Sequence, residues 1–344
     1  MTRTPLRLLA LAAIVAATLS TAAACSGSAT ASGPDADGLL TVRLPDATEY
    51  NSLALRYGAE HGIFKEEGLK VEWVQTNDLV VSAGSGDVTI AFGPTTTHLK
   101  AAASGAPIRI VGAGFRTKGP FWLIARKGID SIDELKGKTI GIAVPGSGLE
   151  TYALAILKAH GIDADQVTTV ADGVYDTAYG AVTTGKVDAT IIHQPFAALG
   201  EIEGKTVTLA RGWDYLPTYQ TGDIIAGTKT IEQQPELLKK ALRAYYAAYD
   251  YAKTHYDDYI PWLQHNLPSI DPAAVKQAIE TEDVIWEDNA KLDLDAVDSS
   301  QDVEIAVGHQ KEKYDVSKYV DQRFIPDEFV KPFRYPDPKT VGEQ

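Results

Sequence analysis

Two places in this chain set small hydroxyl residues where an apolar run hands over to a helical pattern. Thr48 stands at the first, and Ser147 stands at the second, 99 residues further on. A hydroxyl at such a point either caps the free N–H groups of the coming helix or leaves those donors aimed at an anion. Gly146 and Gly148 flank Ser147 and let the backbone come close to a bound group. Pro94-Thr95-Thr96-Thr97 opens another helix after the run at 88–92, and His193-Gln194-Pro195 follows the run at 189–192. Plain capping and structural packing compete with ligand contact at each of these positions.

Aromatic and charged neighbours would complete a site. Glu49, Tyr50, Tyr175 and Trp213 lie near expected strand ends, where rings form apolar walls or stack on a planar ligand. Arg116, Lys118 and Arg211 could neutralise a carboxylate or sulfonate, the arginines with a two-pronged grip. Ordinary packing competes for Trp213 above all, and surface solvation for Lys118. Glu49 repels an anion unless it turns away or pairs with a base, which keeps a heterocycle with hydrogen-bond donors, such as an aminopyrimidine, in contention. Catalytic signatures are missing. There is no Gly-x-Ser-x-Gly elbow, no P-loop and no His-Glu-x-x-His spacing, so neither a metal nor a cofactor is expected.

The elements that must position these residues come twice. At the 99-residue offset, Ala54-Leu55 meets Ala153-Leu154, His61-Gly62-Ile63 meets His160-Gly161-Ile162, and Gly86-Asp87-Val88 meets Gly185-Lys186-Val187. Two copies at so long a period indicate two lobes, not a solenoid. Strands are expected at 39–44, 70–75, 88–92 and 108–112, then at 139–144, 167–170, 189–192 and 207–210. Helices at 50–61 and 95–104, then at 147–160, 175–184 and 196–202, predict an α/β fold with mainly parallel sheets covered on both faces. Beyond a run at 221–227 the chain reads as helical, with Pro235 opening a long helix to Thr254. Tyr245, Tyr246, Tyr249 and Tyr251 on that helix are expected to pack it against a lobe.

The N-terminus carries Arg3 and Arg7, the apolar run Leu8 to Leu19, and small residues leading to Cys25, the single cysteine. This is the layout of a secretory signal over residues 1–24, too short to span a bilayer. Small residues before a cysteine resemble a bacterial lipobox, with Ala22 in place of the usual leucine, so Cys25 is expected to be lipidated and residues 25–38 to form a tether. With that thiol used, the folded part has neither a disulfide nor a thiolate metal site. The net charge of −14 excludes nucleic acid and anionic membrane surfaces as natural partners.

Glu60-His61-Gly62-Ile63-Phe64-Lys65-Glu66-Glu67-Gly68-Leu69-Lys70-Val71-Glu72 resembles the opening block of type II solute-binding proteins. These are the proteins serving ABC importers of sulfonates, taurine, nitrate and thiamine-precursor pyrimidines. Ser131-Ile132-Asp133-Glu134-Leu135-Lys136-Gly137-Lys138-Thr139-Ile140-Gly141 is similar to that family's passage into the second lobe, and Gly185-Lys186-Val187-Asp188-Ala189 to its recurrent Gly-x-Val-Asp-Ala. The resemblance spans about residues 39–330. It implies a two-lobed periplasmic-binding-protein type II fold with a ligand cleft between the lobes and a helical C-terminal region. Lobe 1 would take residues 39–118 and lobe 2 residues 119–220, with 221–344 returning to lobe 1 and the C-terminal helices. Crossings are expected near Arg116–Phe121 and Leu216–Gly222, with hinge closure over the ligand. The implied function is a lipoprotein, anchored outside the cytoplasm and monomeric, that delivers a small organic oxyanion to an ABC permease and its ATPase. The alternatives are a pyrimidine or other thiamine- or riboflavin-type precursor as ligand, or an enzyme on the same scaffold. The pyrimidine synthase of thiamine biosynthesis is one such enzyme, but its cysteine-rich motif is missing here.

Overall fold

A computed structural model describes residues 33–116, 119–284 and 289–335, with the backbone alone at Phe115 and Arg116. Cys25, Lys118 and the expected signal lie outside the described residues. Among the described residues, ten strands run β1 Leu40–Pro45, β2 Leu69–Val74, β3 Ala91–Pro94, β4 Ile108–Arg116, β5 Trp122–Arg126, β6 Thr139–Gly141, β7 Thr168–Val170, β8 Ala189–Ile192, β9 Thr206–Arg211 and β10 Gly222–Gly227. The helices are α1 Leu53–Glu60, α2 Ile63–Glu66, α3 Leu79–Ser85, α4 Thr95–Ala103, α5 Gly148–Ala159, α6 Asp176–Thr183, α7 Phe196–Ile202, α8 Gly212–Tyr215, α9 Thr228–Gln233, α10 Pro235–Thr254, α11 Tyr256–Asn266, α12 Pro272–Glu282 and α13 Leu294–Ala306.

The 99-residue offset is structural. It carries β1 onto β6, α1 onto α5, β2 onto β7, α3 onto α6, β3 onto β8 and β4 onto β9. His61 and His160 close their helices alike, and each is followed by a glycine at positive φ, +85° at Gly62 and +69° at Gly161. A left-handed residue there ends the helix and suits glycine.

The second sheet has the order β7-β6-β8-β5-β9. Its counterpart is split into β1-β2 and β3-β10-β4, the pieces joined where Thr89 N–H donates to the Arg43 carbonyl at 2.8 Å. The expectation of mainly parallel sheets is corrected at β5 and β10, which pair antiparallel with both their neighbours. Each is the strand that enters a sheet directly after the chain passes from the other. With no helix to return it in the same sense, it runs against its neighbours. The strand at 122–126 lies outside the strands expected from the sequence.

Separate apolar cores lie around the two sheets, and α10 shows why the C-terminal helices stay attached. Leu238, Ala241, Leu242, Tyr245, Tyr246, Ala248 and Ala252 repeat at three- and four-residue spacing and are buried. Tyr246 Oη donates to the Ala113 carbonyl at 2.9 Å, and Tyr249 Oη donates to that of Asn51 at 2.8 Å. Further along, α12 joins Tyr50, Leu53, Ala54 and Tyr57 near the first sheet to Ala198 and Leu199 of α7 in one core.

Candidate functional site

Each candidate residue sits where a strand end meets the next helix. After β1, Glu49 is the N-cap of a short turn over Tyr50–Ser52, and its side chain makes no capping bond. Thr48 and Glu49 are exposed, whereas Tyr50 is buried. The turn is pinned from below: Ser52 Oγ donates to the Glu49 carbonyl at 2.9 Å, and Arg56 Nε donates to that of Ala47 at 2.5 Å. After β3, Thr95 and Thr96 begin α4, both buried. Thr95 N–H donates to the Thr221 carbonyl at 3.2 Å, while its Oγ1 has no hydrogen-bond partner. Thr96 bonds to the Tyr219 hydroxyl.

In the second sheet, two non-glycine residues hold positive φ, Ala143 at +61° after β6 and Tyr175 at +53° before α6. Such strain persists where the surroundings enforce it. At Ala143 the enforcer is buried Asp172, which accepts the Ala143 N–H at 2.9 Å and the Thr190 hydroxyl at 2.7 Å. Ser147 is the N-cap of α5, its Oγ accepting the Glu150 N–H at 3.4 Å. The Glu150 carboxylate folds back to accept the Gly146 N–H at 2.6 Å and pairs with His309 at 2.8 Å. A side-chain carboxylate therefore already occupies part of the anion-friendly start of α5. Beside Gly148 there is open space.

Tyr175 stacks on His193, ring centroids 4.9 Å apart and planes 26° apart. His193 meets Phe121 edge-on at 5.0 Å, and Phe121 meets Tyr152 at 4.9 Å. Tyr152 Oη lies 2.8 Å from Thr221 Oγ1, and a Cβ at Gly119 would fall within 2.7 Å of both. The two passages between the sheets thus meet at Gly119 and Thr221, linking Thr95 on one side to His193 and Tyr175 on the other. Trp213 is not part of this group. It stands perpendicular to Trp122 at 5.0 Å in the second core, with Arg211 beside it and bonded to Asp214 at 3.0 Å.

Burial dominates the electrostatics. It holds the His193 imidazole neutral, its pKa down to about 4, and its Nδ1 has no partner. Burial and then the charge of Asp176 raise Glu49, although Glu49 lies after β1 and Asp176 in α6. Burial, Glu49 and then Glu282 raise Tyr175. Glu282, at the end of α12, is itself pushed up to about 8 by burial. The Tyr50 hydroxyl donates a hydrogen bond to it, which draws its pKa part of the way back down and holds the Tyr50 proton in place. Sequence reasoning missed Glu282, Phe121, Tyr152 and Thr221. A signal existed for Glu282: it continues the buried stripe Ala274, Val275, Ala278, Ile279 at helical spacing with a carboxyl. No cluster of metal-ligand type occurs among the described residues.

The profile of the NMT1/THI5-like family matches residues 49–258, more than half of the chain and most of this site. The chain belongs to that family. A Brucella abortus protein named as a binding protein is 28% identical over 200 residues, covering 56% of this chain. The chain matches 60% of the length of that relative. A Bacillus subtilis protein named as an aliphatic sulfonates-binding protein is 24% identical over 268 residues, 76% of this chain and 79% of its own. Among solved structures, the periplasmic aliphatic sulphonate binding protein SsuA of Escherichia coli superposes with a TM-score of 0.67 at 15% identity, covering 88% of this chain and 99% of that one. The desulfurization enzyme DSZB reaches 0.57 at 16% identity, covering 83% and 97%. The NMT1/THI5-like chain therefore has the two-lobed periplasmic binding-protein fold, a scaffold that these comparisons find in binding proteins and in an enzyme.

Proposed function

We propose that this NMT1/THI5-like protein is the extracytoplasmic solute-binding component of an ABC importer. It captures a small organic solute between lobe 1 (39–118, completed by 221–344) and lobe 2 (119–220) and delivers it, unaltered, to a membrane permease driven by its ATPase. Lipidation of Cys25 would hold the monomeric protein at the membrane. One observation carries the reading: unpartnered buried polar atoms on Thr95 from the first lobe and on His193 from the second lie beside the crossings, against Thr221 and Phe121. Buried polar groups left unsatisfied are costly and call for a partner, which a ligand would supply. Thr48, Glu49, Thr96, Ser147, Gly148 and Tyr175 would complete the lining.

The described side chains favour a ligand that donates hydrogen bonds, such as a pyrimidine or related heterocycle. Tyr175 and His193 offer a stacked aromatic wall, and Glu49, Asp176 and Glu282 make the surroundings acidic. The oxyanion reading draws its support from the sulfonate-binding relatives and from the hydroxyl- and glycine-rich starts of α4 and α5. Titration calorimetry against pyrimidines, sulfonates, carboxylates and nitrate separates the two. Saturable one-to-one binding by one class, with the ligand recovered unchanged, is the expected result. Conversion of the ligand to a new product, or no binding across the set, would overturn the importer reading.

A further inference from the structure

α13 packs on the rest of the molecule through a partly polar face. Its buried residues are Ala296, Val297, Ser300, Gln301 and Glu304. Apolar residues at the last three places would attach the helix, as they attach α10, whereas hydrogen-bonding ones also fix where it sits. Ser300 Oγ accepts the Gln220 N–H at 2.9 Å, on the second passage between the sheets. One turn on, Glu304 is 1% exposed and receives donors from three directions. Lys100 Nζ reaches it from α4 at 3.0 Å, Tyr219 Oη from the second passage at 2.6 Å, and Thr151 Oγ1 from α5 at 2.8 Å. His309, just past the helix, repeats the pattern. Its carbonyl accepts Lys100 Nζ at 3.3 Å, and its ring lies 3.0 Å from Thr151 Oγ1 and 2.8 Å from Glu150 Oε2.

Both arms of this clasp end on the proposed lining. α4 opens with Thr95 and Thr96. On the other arm, Thr151 N–H donates to the Ser147 carbonyl at 3.1 Å, and the Glu150 carboxylate holds the Gly146 N–H at 2.6 Å. A buried ion pair adds little stability over apolar residues of the same volume, but losing one partner is costly. Glu304 stays paired only while α4, the second passage and α5 keep their present register, and mere attachment of α13 would need one of these contacts, not all. We propose that Glu304 is a positioning residue that ties α4 of lobe 1 to α5 of lobe 2, so that a displacement of one lining is passed to the other. What the clasp does for a solute rests on the solute-binding reading; the coupling itself does not.

The test is amide hydrogen exchange of the full chain without solute, in wild type, Thr151→Val, Lys100→Met and Glu304→Gln. Thr151→Val removes the α5 bond and leaves α4 unaltered, yet exchange across 95–103 is expected to rise roughly threefold or more. Lys100→Met is expected to do the same across 148–159. No member of the clasp lies on α10, so amides at 235–254 are expected to keep their wild-type rates, which a general loss of stability would not allow. Thr151→Ser, with its hydroxyl retained, is expected to restore the α4 rates. Effects confined to the substituted helix, an equal rise in α10, or no rescue by serine would each overturn the proposal. Should Glu304→Gln not fold, the two single-arm variants decide. No solute enters this measurement, so its failure defeats the clasp alone, whereas calorimetry without binding by any solute defeats the importer reading alone.

Discussion

Burial sets His193 and Glu282 against each other as pH changes. The unfolded chain protonates its histidine near 6.5, but folded His193 resists until about 4. Between those values the unfolded state holds more protons, so this contribution grows with rising pH and is lost as pH falls towards 4. Glu282 works the other way: its folded pKa of about 8 exceeds the ordinary 4.5, so its contribution is complete below 4.5 and lost as pH rises through 8. Above pH 6.5 only the Glu282 loss remains of the two, with a limiting slope of about 1.4 kcal/mol per pH unit for one proton. Denaturant unfolding of Glu282→Gln between pH 6.5 and 8 should lack that decline. A decline equal to the wild type's would show that Glu282 is not buried as a neutral acid. Strand-end logic makes Tyr50, Thr95 and His193 candidates, because a residue leaving a strand has few places to point. It could not single out Glu282, whose meaning depends on α12 lying between the lobes.

Among elements, α5 shows how one feature serves both stability and access. Ser147 caps the helix, and the Glu150 carboxylate folds over the Gly146 N–H. Ser147→Phe should cost about 1 kcal/mol through the lost cap and weaken ligand binding at least tenfold by filling the opening beside Gly148. Unchanged affinity, measured by calorimetry on the folded variant, would take the β6–α5 loop out of the site. The repeat made most elements legible, since apolar runs, helix starts and glycine stops recur at one spacing. β5 broke that logic because no helix precedes it. Its run Trp122-Leu123-Ile124-Ala125 is buried throughout and lacks the alternation of a half-exposed strand. The brace formed by α13 was equally hidden: buried Glu304 accepts Lys100 Nζ at 3.0 Å, Thr151 Oγ1 at 2.8 Å and Tyr219 Oη at 2.6 Å, from three distant stretches of chain.

At the scale of the whole molecule, two sheets exchange the chain twice and meet at Gly119 and Thr221, while α12 and α13 touch both halves. A ligand favours the closed arrangement only by the difference in its contacts with the closed and open forms, so residues from both lobes must share it. Tyr175 is the residue through which that sharing is most exposed to test. It stacks on His193 within the second lobe, and burial, followed by the charge of Glu49 from the first, raises its pKa. The most direct measurement is the ligand-induced rise in melting temperature of wild type beside Tyr175→Ala, across pyrimidines, aromatic amines, sulfonates and carboxylates. One class should raise the wild-type melting temperature, and most of this rise should disappear in the folded variant. A rise of equal size in both proteins would place the ligand away from Tyr175 and contradict the site described here.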